Sequence, residues 1–422
     1  MRTVNKKLLM VMRLYTGLEG TLASVNWKPE GVPTVYNFIN HASKKYDVSL
    51  VLTCKDSGKT YTSGWVESDD KAFYFKALNL RVLALSGRNF FHKKLPRKLG
   101  MVFRDIRHLI KISMLVIKEK PDLIYCDGAN VTFAYCLKKL FPGTPLVLRV
   151  LGICSFLRNL PGDKRPVHLV YRLAFSGNFS MAIGTQDGTG TEFFFEKILN
   201  KNVPRHVLLN GTDKAIPKKN IGKMLPAGWL GSQNKHQTVL FVGRLEEDKG
   251  IRTFVMAMIA AMSAGGDGLR AIIVGSGSLF SEMKSITKNS GYEDKFHFTG
   301  SVAHELILGF QIVTDIYVST NVDGNLTNAN LEAIAANSCM IIPKAQHKHF
   351  IDVQTSEYLS DCVLYFSVSD YKDLKDKILH LVNNPNEIKS LSKKLAEKKK
   401  TFMRSWDKRM HEELEIIDNL IS

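Results

Sequence analysis

No stretch of the 422-residue chain approaches the run of about 18 uninterrupted apolar residues that a membrane-spanning helix needs. The opening segment, MRTVNKKLLMVMRLY, holds five apolar residues in a row before Arg13. That is short for the centre of a secretion signal and suits a first buried strand. The six cysteines (54, 126, 136, 154, 339 and 362) form no CxxC pair, and most sit in apolar runs where a reduced thiol packs as a small hydrophobe. This argues against a zinc site and for a reducing compartment, the cytoplasm by default. Neither GxSxG nor GxxxxGK[ST] occurs, which excludes a nucleophile elbow and a Walker-type phosphate loop. No RNP, KH or helix-turn-helix pattern accompanies the basic residues, which argues against a nucleic-acid partner. No short-period repeat is visible.

What the chain does have is positive charge: 58 Lys and Arg against 40 Asp and Glu, a net +18. Between Arg81 and Lys120 eleven Lys/Arg stand against Asp105 and Glu119 alone. Within this stretch Phe90 and Phe91 precede Lys93, Lys94, Arg97 and Lys98. Aromatics followed by cations suit a peripheral contact with an anionic membrane surface through Phe90–Lys98; a solvated basic loop is the alternative. Farther on, Ile106, Leu109, Ile110, Met114 and Ile117 recur at helical spacing, predicting a helix with that stripe in the core.

At this length two domains are expected. Residues 7–13 and 48–53 read as strands. Between them TGLEGTLASVNWKPEGVP reads as a glycine-punctuated loop, and Gly31 and Pro33 open a helix over 32–43. Residues 123–126, 146–150 and 181–185 read as further strands. Asp127, Gly152 and Asp187 follow their ends, where open parallel sheets bind ligands. Residues 214–237 mix Lys, Pro, Gly and Asn without periodicity and read as a linker. A second strand–helix alternation follows, with strands at 239–242, 271–274, 296–298, 316–318, 340–342 and 363–365. A Lys-rich helix pair ending in Trp406 closes the chain. The expected division is 1–213, a linker over 214–237, 238–400, and a closing helix over 401–422 that packs back on the first domain.

Three stretches of the second half carry chemistry. In 323–342, DGNLTNANLEAIAANSCMII, a polar turn leads into a helix with Thr327 as N-cap and Glu332 about one turn in. Such a helix start offers backbone N–H groups and a positive dipole end to an anion, and Glu332 could accept from ligand hydroxyls. A capped helix with Glu332 in solvent is the plain alternative. In GRLEEDKG (243–250), Arg244 and Lys249 lie five apart after a buried strand and could share one diphosphate. VGSGS (274–278) lacks the third glycine of a dinucleotide fingerprint. Phe298–Thr299 ends a strand that could pair with a base edge, although packing explains it equally well. His347 and His349 lack a third ligand at metal spacing and read as a polar loop.

Taken in order and spacing, FVGRLEEDKG, IVGSGSL, FHFTGSV and NLTNANLEAIAANSCMIIP resemble the donor domain of family 4 retaining glycosyltransferases. KPDLIYCDG, PLVLRVLG, TQDGTG and LLNGTD fit the acceptor half of the same family. The resemblance implies an α/β GT-B fold, two Rossmann-like doubly wound domains facing across a cleft. It implies a nucleotide sugar as donor, a glycan or lipid-linked acceptor, and no cofactor or metal. Arg244 and Lys249 match residues that bind the donor diphosphate, and Glu332 matches one that binds ribose hydroxyls. Gly243, Phe298, Thr299, Asp323, Asn325, Thr327, Asn328 and Leu331 fall on the donor side. Gly31, Asp127, Gly152 and Asp187 fall on the acceptor side.

Two positions depart from the family. Gly324 stands where a sugar-contacting Glu is common, with Asp323 or Asn325 as substitutes, and Leu151 stands where a His is common. Surface polysaccharide or glycolipid synthesis is the implied setting. A nucleotide-sugar epimerase, or a polyanion- or membrane-binding protein on a degenerate scaffold, are the competing readings.

Overall fold

Near-continuous runs of Val, Ile, Leu and Met, the mark of strands covered on both faces, form two sheets in this computed structural model. It describes residues 6–55, 69–88, 96–213, 221–226, 229 and 237–421. Phe90 to Leu95 and most of the expected 214–237 linker lie outside the described residues. The chain divides into two units, the first of Met1–Thr185, Thr191–Leu208 and Asp407–Ser422, the second of Gln186–Gly190 and Leu209–Trp406.

The first unit holds β1 (Lys7–Arg13), β2 (Asp47–Thr53), β3 (Lys71–Phe75), β4 (Leu80–Leu85), β5 (Leu123–Asp127), β6 (Leu146–Val150), β7 (Met181–Gln186) and β8 (Arg205–Leu209). Their order is β3-β4-β2-β1-β5-β6-β7-β8. Neighbours from β4 to β7 pair in parallel, and β3 pairs antiparallel with β4. The β3–β4 hairpin was not foreseen. It lies where charge dominates composition, yet Leu80 and Val82 are buried on β4 while Arg81 between them is exposed.

Two further expectations are corrected. Residues 16–24 of the supposed glycine loop are a helix, Thr16–Ser24. Leu18 and Leu22, four apart, are both buried. Gly17 sits in that helix because a Cβ there would fall 1.9 Å from the Glu30 carbonyl oxygen. The glycine marks a backbone contact, not a loop.

The basic segment is a helix over Arg97–Glu119, but its apolar stripe is on the wrong side. Ile106, Ile110, Met114 and Ile117 are exposed and only Leu109 of the stripe packs on the core, while Arg104, His108, Ile112 and Val116 are buried at a strict four-residue spacing. The buried stripe is half polar, so hydrophobicity alone does not reveal it. The His108 ring lies 2.8 Å from the Ser86 carbonyl oxygen.

Trp406 opens the final helix, Trp406–Ile421, instead of closing a pair. From Asp407 on, this helix belongs to the first unit. Its Glu413 is fully buried 3.2 Å from Arg149 Nε and 2.7 Å from Arg409 Nη2, and accepts from the Tyr125 hydroxyl at 2.5 Å. Burial alone would raise the Glu413 carboxyl. The Arg149 and Arg409 guanidiniums more than offset that and hold it below the ordinary range. Glu413→Ala would leave two buried cations without a counter-charge, at an expected cost of about 3–5 kcal/mol. Urea unfolding followed at the first unit checks this, and a loss below about 1 kcal/mol would refute it.

The second unit holds β9 (Gln237–Val242), β10 (Leu269–Val274), β11 (Phe296–Gly300), β12 (Ile316–Val318), β13 (Cys339–Pro343) and β14 (Leu364–Phe366). Their order is β11-β10-β9-β12-β13-β14, with parallel pairing throughout. From β9 the chain winds outward to β11, then returns to lay β12 on the other side of β9. The strand order reverses between β9 and β12, and ligands of open parallel sheets bind beside that point, at the strand C-terminal ends.

Candidate active site

The two loops read as chemical from the sequence leave the sheet on either side of this reversal. The loop carrying Gly243, Arg244 and Lys249 follows β9, and the loop carrying Asp323, Asn325 and Thr327 follows β12. They are docked together. Thr320 Oγ1 donates to the Lys249 carbonyl at 2.8 Å, and a Cβ on Gly250 would fall 2.3 Å from the Thr320 carbonyl oxygen. Gly250 has φ +66°, which spares the close turn into the Ile251–Ser263 helix a steric penalty. Lys249 Nζ lies 3.4 Å from Asn321 Oδ1 and 3.3 Å from Asp248, and Arg244 reaches the same Asp248 at 3.5 Å. Two cations thus share one carboxylate that an incoming diphosphate could displace.

Turns on the other strands complete the edge. Gly243 N–H donates to Val274, Leu245 N–H to Ser276, and Gly275 N–H to Gly300, all at 2.9–3.0 Å. A Cβ on Gly275 would sit 1.9 Å from the Gly243 oxygen, and one on Gly277 2.4 Å from the Leu245 oxygen. The GSG glycines therefore serve turn-on-turn packing. In β11 the register passes from Phe298 to Gly300, skipping Thr299, whose hydroxyl donates to the Gly300 carbonyl at 2.8 Å. Phe298 packs beside Phe280 and Phe296.

Beyond β12, the helix Asn328–Ala335 starts at Thr327, whose side chain accepts from the Asn330 N–H as an N-cap does. Asn328 accepts from the Asn210 side chain at 2.9 Å. Leu331 is wholly buried in the core, so only packing falls to it. Asn325 is equally buried and fully engaged. It accepts from Ser319 at 2.7 Å and donates through its side-chain nitrogen to the Asn321 carbonyl at 3.0 Å and Asp352 at 2.6 Å. It shapes the loop and cannot stand in for a sugar-contacting carboxylate. Asp323 stays at the surface of the loop, half-buried, its N–H 3.4 Å from Asn321 Oδ1.

Gly324 has a structural cause. Its φ is +119°, and a Cβ would meet the Asp187 carbonyl oxygen at 2.7 Å and the Gly188–Thr189 backbone at 2.9 Å. The Gln186–Gly190 turn, part of this unit, occupies the space a side chain would need. Asp187, which the resemblance puts on the acceptor side, thus lies against the loop that follows β12. Burial lifts its carboxyl to about 6 despite hydrogen bonds from Thr189. Asp352, also lifted to about 6 by burial, bolts the assembly. It accepts from the Asn325 N–H and the Thr355 hydroxyl at 2.6 Å, while its own N–H donates to Gly188.

Glu332 does not face open solvent. Its side chain is 19% exposed, 3.3 Å from His304 Nε2. Burial first, and the Asp213 charge second, raise its carboxyl to about 8. The sequence pattern points to Arg244, Lys249 and Glu332 but not to Asp248, Asn321, Asp352, Asp213 and His304. Asn321, Asp352 and His304 carry no motif, while Asp248 lies inside GRLEEDKG and Asp213 ends LLNGTD without a pattern that sets either apart.

In the first unit, Asp127 and Gly152 line one cavity of 520 Å³ with Arg13, Lys55, Leu151 and Tyr171. Asp127 accepts from the Arg13 N–H at 2.8 Å, and burial raises its carboxyl. Burial and the neighbouring Arg13 lower Lys55 to about 8. Gly31 does not line this cavity; its φ of +91° serves a turn packed on Gly17.

Gly324→Glu is expected to destabilise by about 2–3 kcal/mol through strain and overpacking, read as a lowered melting temperature. An unchanged Tm would contradict the packing assigned to the 186–190 turn. Because the native state holds Glu332 protonated up to about pH 8, its contribution to stability is full below the unfolded carboxyl's pKa and is lost as pH rises toward 8. Glu332→Gln should flatten the fall in Tm between pH 5 and 8; parallel profiles for parent and variant would refute the shift.

The profile of the family described as glycosyl transferases group 1 matches residues 230–401. Two curated relatives align locally. A 2-deoxystreptamine glucosyltransferase of Streptomyces kanamyceticus is 30% identical over 98 residues, 23% of this chain and 25% of that protein. A 2-deoxystreptamine N-acetyl-D-glucosaminyltransferase of Streptomyces fradiae is 30% identical over 111 residues, 26% of each. The chain thus spans about a quarter of the length of these relatives. Sucrose-phosphate synthase from Thermosynechococcus elongatus superimposes with a TM-score of 0.70 at 14% identity, over 98% of this chain and 99% of that one. Anabaena HepE in complex with UDP and glucose gives 0.65 at 15%, over 97% and 99%. The chain has the GT-B fold, and residues 230–401 of its second unit match the glycosyl transferases group 1 family.

Proposed function

We propose that the protein is a glycosyltransferase moving a sugar from a nucleoside-diphosphate sugar to a glycan or lipid-linked acceptor, with retention of configuration and without a metal. The observation that carries this reading is the docking of the Arg244–Lys249 loop onto the loop of the Thr327-capped helix at the strand-order reversal. Loss of the nucleoside diphosphate is the demanding step, since negative charge grows on the departing phosphate. Arg244, Lys249 and the helix start would meet that charge without reorganising. Glu332 would accept from ribose hydroxyls, and the Thr299 turn would lie by the base. Asp187 would read sugar hydroxyls where Gly324 carries no carboxylate. The Arg13–Lys55–Asp127 cavity would take the polar end of the acceptor. The setting that fits is surface polysaccharide or glycolipid synthesis, where a lipid-linked acceptor is met at a membrane surface.

UDP is the first nucleotide to try, because HepE was solved with UDP and glucose. A thermal-shift screen with UDP, GDP, ADP, CMP and their sugars should show stabilisation by one diphosphate that disappears in Arg244→Ala. Arg244→Ala or Lys249→Ala should each lower kcat about a hundredfold. A shift that survives both substitutions would sink the assignment of the diphosphate seat, and no shift with any nucleotide would sink the transferase reading itself. Ribose hydroxyls prefer an ionised Glu332, so nucleotide affinity should rise with pH up to about 8. Calorimetric titration at several pH values tests this, and a profile as flat as that of Glu332→Gln would count against the role of Glu332.

A further inference from the structure

Twelve of the sixteen exposed large apolar side chains among the described residues lie on three helices of the first unit. These are Arg97–Glu119, Val131–Leu140 and Pro166–Phe175. Their inward residues, among them Ile112, Val116, Leu137 and Phe175, share one core cluster, so the three form one layer on one side of the sheet. On the first helix the outward stripe is Leu99, Phe103, Ile106, Ile110, Met114 and Ile117, with Met114 and Ile117 each 63% exposed. Val167, Val170 and Leu173 continue it on the third. Apolar surface concentrated this way marks a binding face, since scattered single residues are the ordinary pattern.

The charge around the face is one-sided. Residues 96–176 hold fourteen Lys/Arg against five Asp/Glu, though Arg104 and Arg149 are buried and Arg107 and Lys111 pair with Asp70. Each of the five acids already has partners inside the fold. Asp105 pairs with Arg104, Asp163 with Arg165 and Glu119 with Arg81; Asp122 accepts from the Lys7 N–H, and Asp127 from the Arg13 N–H. Lys98, Lys118, Lys120 and Lys164 stand exposed at the helix ends.

We propose that this face docks on an anionic lipid bilayer, with the apolar stripe entering the headgroup–acyl boundary and the lysines meeting lipid phosphates. A second copy fits worse, because an isologous contact would set one positive rim against another. Val167 belongs both to the apolar face and to the lining of the Arg13–Lys55–Asp127 cavity. If that cavity takes the acceptor, as proposed above, the bilayer delivers a lipid-linked acceptor to its rim.

Vesicle flotation, which needs neither donor nor acceptor, tests the docking face on its own. The protein should float with vesicles of phosphatidylcholine and phosphatidylglycerol (3:1). It should bind vesicles of phosphatidylcholine alone, or the mixed vesicles in 0.5 M salt, at least about fivefold less. Ile106→Ser/Ile110→Ser/Met114→Ser removes only exposed side chains. It should keep the parent's melting temperature and lose vesicle binding about tenfold or more. Lys98→Glu/Lys118→Glu/Lys164→Glu should lose binding to the anionic vesicles alone. Three results would overturn the proposal. One is a parent that stays unbound with anionic vesicles, and another is a triple Ser variant that floats like the parent. The third is a parent dimer by light scattering that the Ser variant turns to monomer with no vesicle binding in either, which would assign the face to a second copy.

Discussion

Backbone lies against backbone at the C-terminal edge of the second sheet, and the candidate site follows from that. The turns after β9, β10 and β11 are joined by main-chain hydrogen bonds so close that Gly275 and Gly277 have no room for a methyl group. Gly250 and Gly324 repeat the arrangement against Thr320 and the 187–189 backbone. Side chains excluded from the turn contacts leave the amide groups and a few long polar residues to define the surface. A surface built this way changes little when a ligand arrives, which suits charge stabilisation that must not reorganise during reaction.

The polar residues around the β12 loop divide into those that hold it and those with surface to spare. Asn325, Asn330, Ser319 and Asp352 satisfy one another in the interior, as buried polar groups must. Arg244, Lys249 and Glu332 keep part of their surface and only loose partners. An Asn-rich stretch that looks in sequence like a cluster of ligand contacts is thus largely internal carpentry. The residues proposed for the donor seat are the ones whose hydrogen bonding is incomplete.

Much of this was legible in the residues. Apart from β3, β4 and β8, the strands of both sheets announce themselves as apolar runs, and Arg244, Lys249, Thr327 and Glu332 stand at recognisable offsets from them. What was hidden depends on contacts distant in sequence. Gly324 looks like a missing carboxylate until the 186–190 turn is seen packed on it. Asp352 carries no motif and acts by reaching Asn325. The Arg97–Glu119 helix misleads for a different reason. Two amphipathic stripes compete on it, and the fold buries the one that contains Arg104 and His108. Hydrophobicity ranks the other stripe higher because burial of a polar group depends on partners, here Asp105 and Ser86, that no local pattern displays.

The buried Glu413 links the last helix to Arg149 and Tyr125 in a unit whose other strands are made far earlier. During synthesis, about 200 residues of the second unit emerge between Thr185 and Asp407, apart from the short return at 191–208. At about 5–20 residues per second this interval lasts roughly 10–40 s. Through it the Arg149 guanidinium has no carboxylate to pair with, so the first unit leaves the ribosome open on that side. The second unit, continuous apart from its five-residue turn, is complete before the first can close. Closure of the first unit around Glu413 therefore waits until the whole of the second has been synthesised.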